Sequence, residues 1–165
     1  MTNHDPTPAS GSALPVEHER KWLLSALPPR VRAVAPSLLL QGYLPGEQLI
    51  ERVRSVTLHG VTTWVRTVKL GRGISRIEVE EAASEALGTA MFALTAGKRV
   101  AKRRYAIAAG DLTWEIDEFT DRALVLAEVE LQSADAVVVI PDWLTPFVVR
   151  EVTDEAGFTN WALAR

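Results

Sequence analysis

The sequence predicts an α+β fold dominated by an antiparallel β-sheet of eight strands, which is enough to close a barrel. The first observation is that polar and apolar residues alternate with period two in eight separate segments, as in strands with one buried face. The second is that several connections are tight turns: His59-Gly60, Gly71-Arg72-Gly73 and Gly110-Asp111. Short connections join antiparallel neighbours, so these strands are expected to pair as hairpins.

The predicted strands follow one another along most of the chain. In order they span residues 16–23, 38–43, 48–58, 61–70, 74–81, 100–108, 112–119 and 123–131. Residues 141–165 read as an irregular segment, which ends in a short helix over 160–164 with Thr159 as its N-cap. We expect no linker and no repeat in this order of elements.

One longer helix is predicted between positions 81 and 97, with Gly97 placed to cap its carboxyl end. Its apolar face carries Leu87, Ala90, Met91 and Leu94. The helix is rich in alanine and poor in charge for an exposed element. It is therefore expected either to cover the barrel or to pack against a second subunit, which would make the protein a homodimer.

Length and composition indicate one globular domain over 15–165, preceded by a disordered tail over 1–14 that is rich in Pro, Ser, Thr and Gly. The net charge of −3 disfavours non-specific binding to nucleic acid. The absence of cysteine excludes disulfide scaffolds, thiol catalysis and cysteine-based zinc sites. No segment resembles a signal peptide or a membrane span, so the cytoplasm is the expected compartment.

Charged residues occupy every second position in most of the predicted strands. Side chains at i and i+2 point to the same face of a strand, so these charges share one face of the sheet. The carboxylates are Glu17, Glu19, Glu78, Glu80, Glu115, Asp117, Glu128 and Glu130, and the cations are Lys21, Arg52, Arg54, Lys69, Arg76, Lys102 and Arg104. If the sheet closes, this face lines a charged lumen, whereas Arg103 alternates out of phase and is expected to face outward.

A single Glu-x-Glu pair on a strand usually marks only a solvated face, but the whole set points further. Enclosed carboxylates are compensated by hard divalent cations such as Mg²⁺, and enclosed lysine and arginine by a polyanion that offers phosphate oxygens. Both clusters together predict a polyphosphate held by cationic side chains and metal. The chain has no Gly-x-Ser-x-Gly or P-loop motif, which disfavours serine hydrolases and P-loop enzymes.

Several sequence blocks, in order, are similar to those of one known family. Glu17-His18-Glu19-Arg20-Lys21 resembles the Glu-x-Glu-x-Lys signature that opens the CYTH domain of the triphosphate tunnel metalloenzymes. The later blocks are Gln41-Gly42-Tyr43-Leu44, Arg52-Val53-Arg54, Thr67-Val68-Lys69, Ser75 to Glu80, Lys102 to Tyr105, Trp114 to Asp117, Ala127 to Leu131 and Arg150 to Thr153. The resemblance runs from Val16 to the C-terminus and is strongest to the short tripolyphosphatase-like branch.

The resemblance implies an eight-stranded tunnel that hydrolyses a linear triphosphate with Mg²⁺ or Mn²⁺. It implies a metal held by Glu17, Glu19 and Glu130, and a second metal or the attacking water surrounded by Glu78, Glu80, Glu115, Asp117 and Glu128. Glu80, Asp117 and Glu128 are the ligands expected for that second metal. The phosphate oxygens are expected to contact Lys21, Arg52, Arg54, Lys69, Arg76, Lys102 and Arg104. The C-terminal segment, including Arg150, is expected to plug or flank one tunnel mouth.

Other functions stay open at this point. The same site suits a thiamine triphosphatase, a nucleoside triphosphatase, or an adenylate cyclase in which a ribose hydroxyl replaces water. A polyphosphate-binding module without turnover is disfavoured, because a pure binder needs cations more than it needs eight acids. The tryptophans are expected in core or rim packing, and the histidines have no ligand spacing.

Overall fold

The computed structural model describes residues 15–46, 49–70 and 74–164, without the side chain of Arg76. The described strands are β1 Val16–Leu24, β2 Ser37–Tyr43, β3 Ile50–Leu58, β4 Val61–Leu70, β5 Ser75–Ala83, β6 Arg99–Ala109, β7 Leu112–Phe119, β8 Val125–Leu131 and β9 Val148–Glu151. The helices are α1 Glu85–Ala93 and α2 Asn160–Leu163, with 3-10 turns at Pro29–Ala33, Thr145–Phe147 and Ala156–Phe158. The predicted tail over 1–14, the predicted strand start at Gln48 and the Gly71-Arg72-Gly73 turn lie outside the described residues.

Eight of these strands close an antiparallel barrel, as predicted. Their order is β5-β4-β3-β2-β6-β7-β8-β1, and β1 also pairs with β5 through Val16↔Ile77 and His18↔Ser75, which closes the sheet. Where the described residues test them, the strand limits agree with the predicted ones to within two residues. Period-two alternation therefore located the barrel, because successive residues of a strand lie alternately on the inner and the outer face of the wall.

A ninth strand was not predicted. Strand β9 pairs with the end of β1 through Trp22↔Glu151 and Leu23↔Arg150. It lies on the same edge of β1 as β5, beyond the residues of β1 that pair with β5. It extends the wall on that side of the barrel. Only four residues long, β9 is too short for alternation to show in the sequence.

The main apolar core lies outside the barrel wall. Trp22 on β1 and Trp114 on β7 pack with ring centroids 5.1 Å apart, and both are almost fully buried. The chain that follows β8 covers them with Val138, Ile140 and Leu144. The burial of these two tryptophans confirms that they belong to the core, and it leaves the barrel interior for the charged side chains.

A second, smaller apolar cluster lies on the inner face at one end of the barrel. Tyr43, Val100, Phe119 and Leu126 contribute from four strands, and Val152, Phe158, Leu163 and Ala164 pack against them from the end of the chain. The C-terminal residues therefore cover this end of the barrel. This packing is consistent with the expectation that the C-terminal segment plugs or flanks one mouth.

The long helix is shorter than predicted, and a different face of it is buried. Strand β5 continues to Ala83 because it pairs with β4, and Ser84 then caps α1 by accepting a hydrogen bond from the Leu87 amide at 3.2 Å. Leu87 is 50% exposed and Leu94 is 69% exposed, so the predicted core face was wrong. Gly97 lies beyond the helix in the turn to β6, with φ of 77°. None of the helices described is both long enough and apolar enough to cross a bilayer.

The buried side of α1 depends on a close approach at Gly88. A Cβ atom there would lie 2.3 Å from Cδ2 of Trp64 on β4, and Trp64 also packs edge-on against Phe92 at 5.9 Å. The glycine therefore lets the helix lie directly on an indole ring. The higher helix propensity of alanine, about 1 kcal/mol, is too small to offset such a clash.

We expect Gly88→Ala to lower the free energy of unfolding by about 1–3 kcal/mol, because the ring and the helix must move apart. The matched control is Thr89→Ala on the exposed side of the same helix, which removes a poorer helix former. Urea unfolding of both variants measures the difference. Equal stability of Gly88→Ala and the wild type would show that the helix does not lie on Trp64 as described.

Candidate functional site

The barrel interior encloses a charged cavity of about 910 Å³. It is lined by Glu17, Glu19 and Lys21 of β1, Arg52 and Arg54 of β3, Lys69 of β4, Glu78 and Glu80 of β5, Lys102 and Arg104 of β6, Glu115 of β7, and Glu128 and Glu130 of β8. These are nearly all the residues that sequence alternation placed on one face. The structure thus brings together side chains that are more than a hundred positions apart in sequence.

The strand register explains why opposite charges meet in this cavity. Lys21 stands directly across from Glu128, Arg104 across from Asp117, and Lys69 across from Glu78. Facing residues on antiparallel strands have their Cβ atoms about 5 Å apart, within reach of long side chains. Each wall therefore offers paired cations and carboxylates, and not a surface of one sign.

A first group of charges, the β3–β5 cluster, consists of Arg52, Arg54, Lys69, Glu78 and Glu80. Arg52 Nη2 donates to Glu80 Oε1 at 2.7 Å and lies 3.3 Å from Glu78 Oε1, while Lys69 pairs with the other oxygen of Glu78. Arg54 Nη2 lies 3.3 Å from Glu80 Oε1. Although burial alone would raise the pKa of the Glu78 carboxyl, Lys69 and Arg52 lower it, so Glu78 stays ionised.

A second group, the β6–β8 cluster, consists of Lys102, Arg104, Glu115, Asp117 and Glu128. Arg104 grips Asp117 with two nitrogens at 2.7 and 2.6 Å and donates to Glu128 Oε2 at 2.6 Å. Lys102 also donates to Asp117, which is fully buried. Asp117 does not line the cavity itself, so it acts from beneath by orienting the two cations.

Lys21 connects this second cluster to the acidic residues of β1. Its Nζ lies 2.8 Å from Glu128 Oε1 and 3.2 Å from Glu19 Oε1. Burial would lower the pKa of this lysine, but the two carboxylates more than offset the burial and raise it. The Lys21 ammonium is therefore permanently charged.

The nearby carboxylates do not fully compensate the positive charge of the Arg54 guanidinium. Burial, together with the neighbouring Arg52 and Arg104, lowers its pKa from 12.5 to about 10. The Nε atoms of Arg52 and Arg54 are both buried and have no hydrogen-bond partner among the described residues. Because Arg52 and Arg104 repel the Arg54 guanidinium, this wall of the cavity favours an added anion with several acceptor oxygens.

Three carboxylates, Glu17, Glu19 and Glu130, form an acidic corner of the cavity, and their clustered negative charge favours a bound cation. Glu19 and Glu130 face each other across the β1–β8 pair. Burial raises the pKa of Glu17, and the nearby carboxylates of Glu78 and Glu130 raise it further. As placed, no group of three or more His or carboxylate side chains within the described ranges stands in metal-ligand geometry. The donor set is nevertheless all oxygen and rich in negative charge, which is the chemistry that a hard divalent cation requires.

Besides Asp117, two predicted site residues are not among the described side chains that line the cavity. Arg150 on β9 forms an ion pair with Glu155 and packs its guanidinium over the Phe158 ring, 5.3 Å from the centroid. Arg76 faces Glu17 across the β1–β5 pair, but its side chain lies outside the described part of the chain. Arg103 points outward to Glu118, as predicted, at 3.3 Å.

Several residues that line the cavity were not singled out from the sequence. They include Tyr43 from β2 and, from the chain after β9, Thr153, Asp154, Asn160 and Trp161. Tyr43 had a detectable signal, because it alternates in phase with Gln41 on a predicted strand. The other four belong to a segment without periodicity. Burial raises the pKa of Tyr43 to about 12, so its hydroxyl stays protonated and able to donate.

The chain is similar to characterised proteins over almost its full length. No protein-family model matches it. It is 34% identical over 155 residues to the inorganic triphosphatase of Nitrosomonas europaea, covering 90% of this chain and 96% of that protein. It is 31% identical over 154 residues to the inorganic triphosphatase of Acetivibrio thermocellus, covering 90% and 93% of the two chains.

Its fold also matches a crystal structure of an inorganic triphosphatase, with a TM-score of 0.62 and 29% identity, covering 90% of this chain and 93% of that one. The closed antiparallel barrel, its charged interior and these relatives agree with one another. The chain therefore belongs to the inorganic triphosphatases of the CYTH, or triphosphate tunnel metalloenzyme, family.

Proposed function

We propose that this protein hydrolyses a linear triphosphate, chiefly inorganic tripolyphosphate, to pyrophosphate and phosphate with the aid of Mg²⁺ or Mn²⁺. One observation carries the proposal: six cationic side chains from opposite walls converge on a single cavity. The relatives named inorganic triphosphatase support the same substrate. A homodimer and a cytoplasmic location stay predictions.

The cations would hold the phosphate chain from two sides. Arg52, Arg54 and Lys69 approach from the β3–β5 cluster, and Lys21, Lys102 and Arg104 from β1 and β6. Arginine forks suit phosphate oxygens because two N–H groups bind two oxygens at once. Charge that accumulates on the bridging oxygen as the bond breaks is stabilised by donors already fixed in place.

The carboxylates would keep these cations oriented and provide the metal site. Glu17, Glu19 and Glu130 would form the first site. Glu80 and Glu128 would belong to a second site or, together with Glu78 and Glu115, surround the attacking water. Asp117 is fully buried and, unlike Glu128, does not line the cavity, so we assign it to positioning Lys102 and Arg104. A bound divalent ion would neutralise phosphate charge and lower the pKa of a water molecule.

The bond changes are those of a simple hydrolysis. Water oxygen bonds to the terminal phosphorus, the bridging P–O bond breaks, and the pyrophosphate leaves with the bridging oxygen. The proton that the attacking water loses passes to solvent or to the leaving pyrophosphate. No side chain needs to become phosphorylated. The residues of the chain bind the substrate, align it and stabilise charge, which are the main contributions of proteins to phosphoryl transfer.

Parallel initial rates test the substrate. Tripolyphosphate, thiamine triphosphate and ATP are incubated with the protein and Mg²⁺ or Mn²⁺, with chelator controls, and the products are separated by chromatography. We expect the highest kcat/KM for tripolyphosphate and loss of phosphate release with the chelator. A higher kcat/KM for thiamine triphosphate or ATP would reassign the substrate, and cyclic AMP from ATP would identify a cyclase.

A further inference from the structure

The end of the chain contacts two of the cavity lysines, Lys21 on β1 and Lys102 on β6. We use the name C-terminal segment here for residues 151–164, which begin at the last residue of β9. At its start, the Val152 amide donates to the Lys21 carbonyl at 2.8 Å, and the Lys21 amide donates to Thr153 Oγ1 at 3.0 Å. Further along, Asn160 Oδ1 accepts a hydrogen bond from Lys102 Nζ at 3.4 Å.

The surroundings of Lys102 make the contact with Asn160 important. The Lys102 side chain is only 1% exposed. An ammonium group has three N–H donors and rotates freely unless its partners fix it. Asp117 accepts one donor and Asn160 a second, so the direction of the third is set by tetrahedral geometry.

We propose that Asn160 is a positioning residue, whose amide oxygen turns the Lys102 ammonium so that its remaining N–H points into the cavity toward a phosphate oxygen. This inference rests on the proposed function, since it needs a phosphate ligand in the cavity. Asn160 itself lines the cavity, beside Lys102.

A neutral acceptor fits this position better than a charged one. Lys102 already shares the buried carboxylate of Asp117 with Arg104. A second carboxylate on Lys102 would cancel the positive charge that is to meet the substrate. An amide oxygen orients the ammonium and leaves its charge available.

The neighbours of Asn160 in sequence hold it in place. Their contacts do not involve the cationic side chains of the cavity. Thr159 Oγ1 accepts from the Ala162 amide at 3.2 Å, which caps α2. Arg122 Nη1 donates to the Leu163 carbonyl at 2.6 Å from outside the barrel end. Trp161 packs under Lys98, whose Nζ lies 4.9 Å from the ring centroid.

The test compares three variants for tripolyphosphate binding and turnover. Asn160→Ala removes the acceptor, Asn160→Asp adds a second carboxylate, and Arg122→Ala loosens the same segment without touching Lys102. Binding of tripolyphosphate is measured by titration calorimetry with a chelator present, and KM and kcat are measured separately with Mg²⁺. Circular dichroism melting confirms that each variant is folded.

We expect the dissociation constant to rise roughly tenfold for Asn160→Ala and further for Asn160→Asp, with KM affected more than kcat. Arg122→Ala should stay within about twofold of the wild type. If Arg122→Ala and Asn160→Ala weaken tripolyphosphate binding equally, Asn160 has only a structural role and the proposal is wrong. The proposal is also wrong if Asn160→Asp binds tripolyphosphate as tightly as Asn160→Ala does. If the wild type neither binds nor hydrolyses tripolyphosphate, the proposed function itself fails.

Discussion

Glu130→Gln is expected to lower kcat/KM for tripolyphosphate about 100- to 1,000-fold, the range seen when one fixed charge-stabilising group is removed from an active site. Glu130 is exposed to the cavity directly across from Glu19, and it has no ion pair among the described residues. Neutralising it should therefore leave the Tm nearly unchanged while it removes one oxygen ligand from the acidic corner. Steady-state kinetics over a range of Mg²⁺ concentrations, with a thermal melt, measures both effects.

The matched control for this change is Glu118→Gln. Glu118 lies on the outer surface, where it pairs with Arg103 at 3.3 Å. An exposed pair of this kind contributes little, so activity and stability should both stay near the wild-type values. Wild-type turnover in Glu130→Gln at limiting Mg²⁺ would remove Glu130 from the metal site.

Arg54→Ala is expected to raise KM for tripolyphosphate about 100-fold and to affect pyrophosphate binding less. Its guanidinium lines the cavity, and burial together with Arg52 and Arg104 lowers its pKa, so an added anion would stabilise its charge. A charged hydrogen-bond pair is worth roughly 1.5–3 kcal/mol, which corresponds to about 10- to 150-fold in affinity. Inhibition by pyrophosphate and kinetics with tripolyphosphate give the two values.

Arg66→Ala is the control for the loss of an arginine in the same sheet. Arg66 lies on the outer face of β4, where it pairs with Glu51 at 2.5 Å and Glu81 at 3.4 Å. We expect unchanged KM in this variant. If Arg54→Ala weakens the binding of tripolyphosphate and of pyrophosphate equally, Arg54 does not contact the part of the chain that only tripolyphosphate has.

The barrel and most of its charged lining were accessible to sequence reasoning for one physical reason. A closed sheet with a polar interior imposes period-two alternation on every strand, so Arg52 and Arg54, or Glu128 and Glu130, identify both the strand and the face. Alternation alone does not show that the sheet closes into a barrel. The pairing of β1 with β5 in the structure shows this closure. The predicted placement of Asp117 was nearly right, but it lies beneath the cavity surface.

Helix α1 and the C-terminal segment show where local patterns fail. The apolar residues Leu87 and Leu94 suggested a core face, yet the helix approaches the sheet through Gly88, a residue that carries no hydrophobic signal. Asn160 reaches Lys102 from 58 positions away in a segment without regular alternation. Contacts of this kind depend on tertiary packing, and a single sequence contains no local trace of them.

The most direct test of the central claim follows tripolyphosphate itself by phosphorus NMR in the presence of the purified protein and Mg²⁺. The account predicts that the tripolyphosphate signals disappear while pyrophosphate and phosphate appear in equal amounts. It also predicts that the conversion slows strongly in Glu130→Gln and Arg54→Ala but not in Glu118→Gln or Arg66→Ala. Tripolyphosphate that stays intact with the wild type, or conversion at the same rate in all four variants, would show that the charged cavity is not a triphosphatase site.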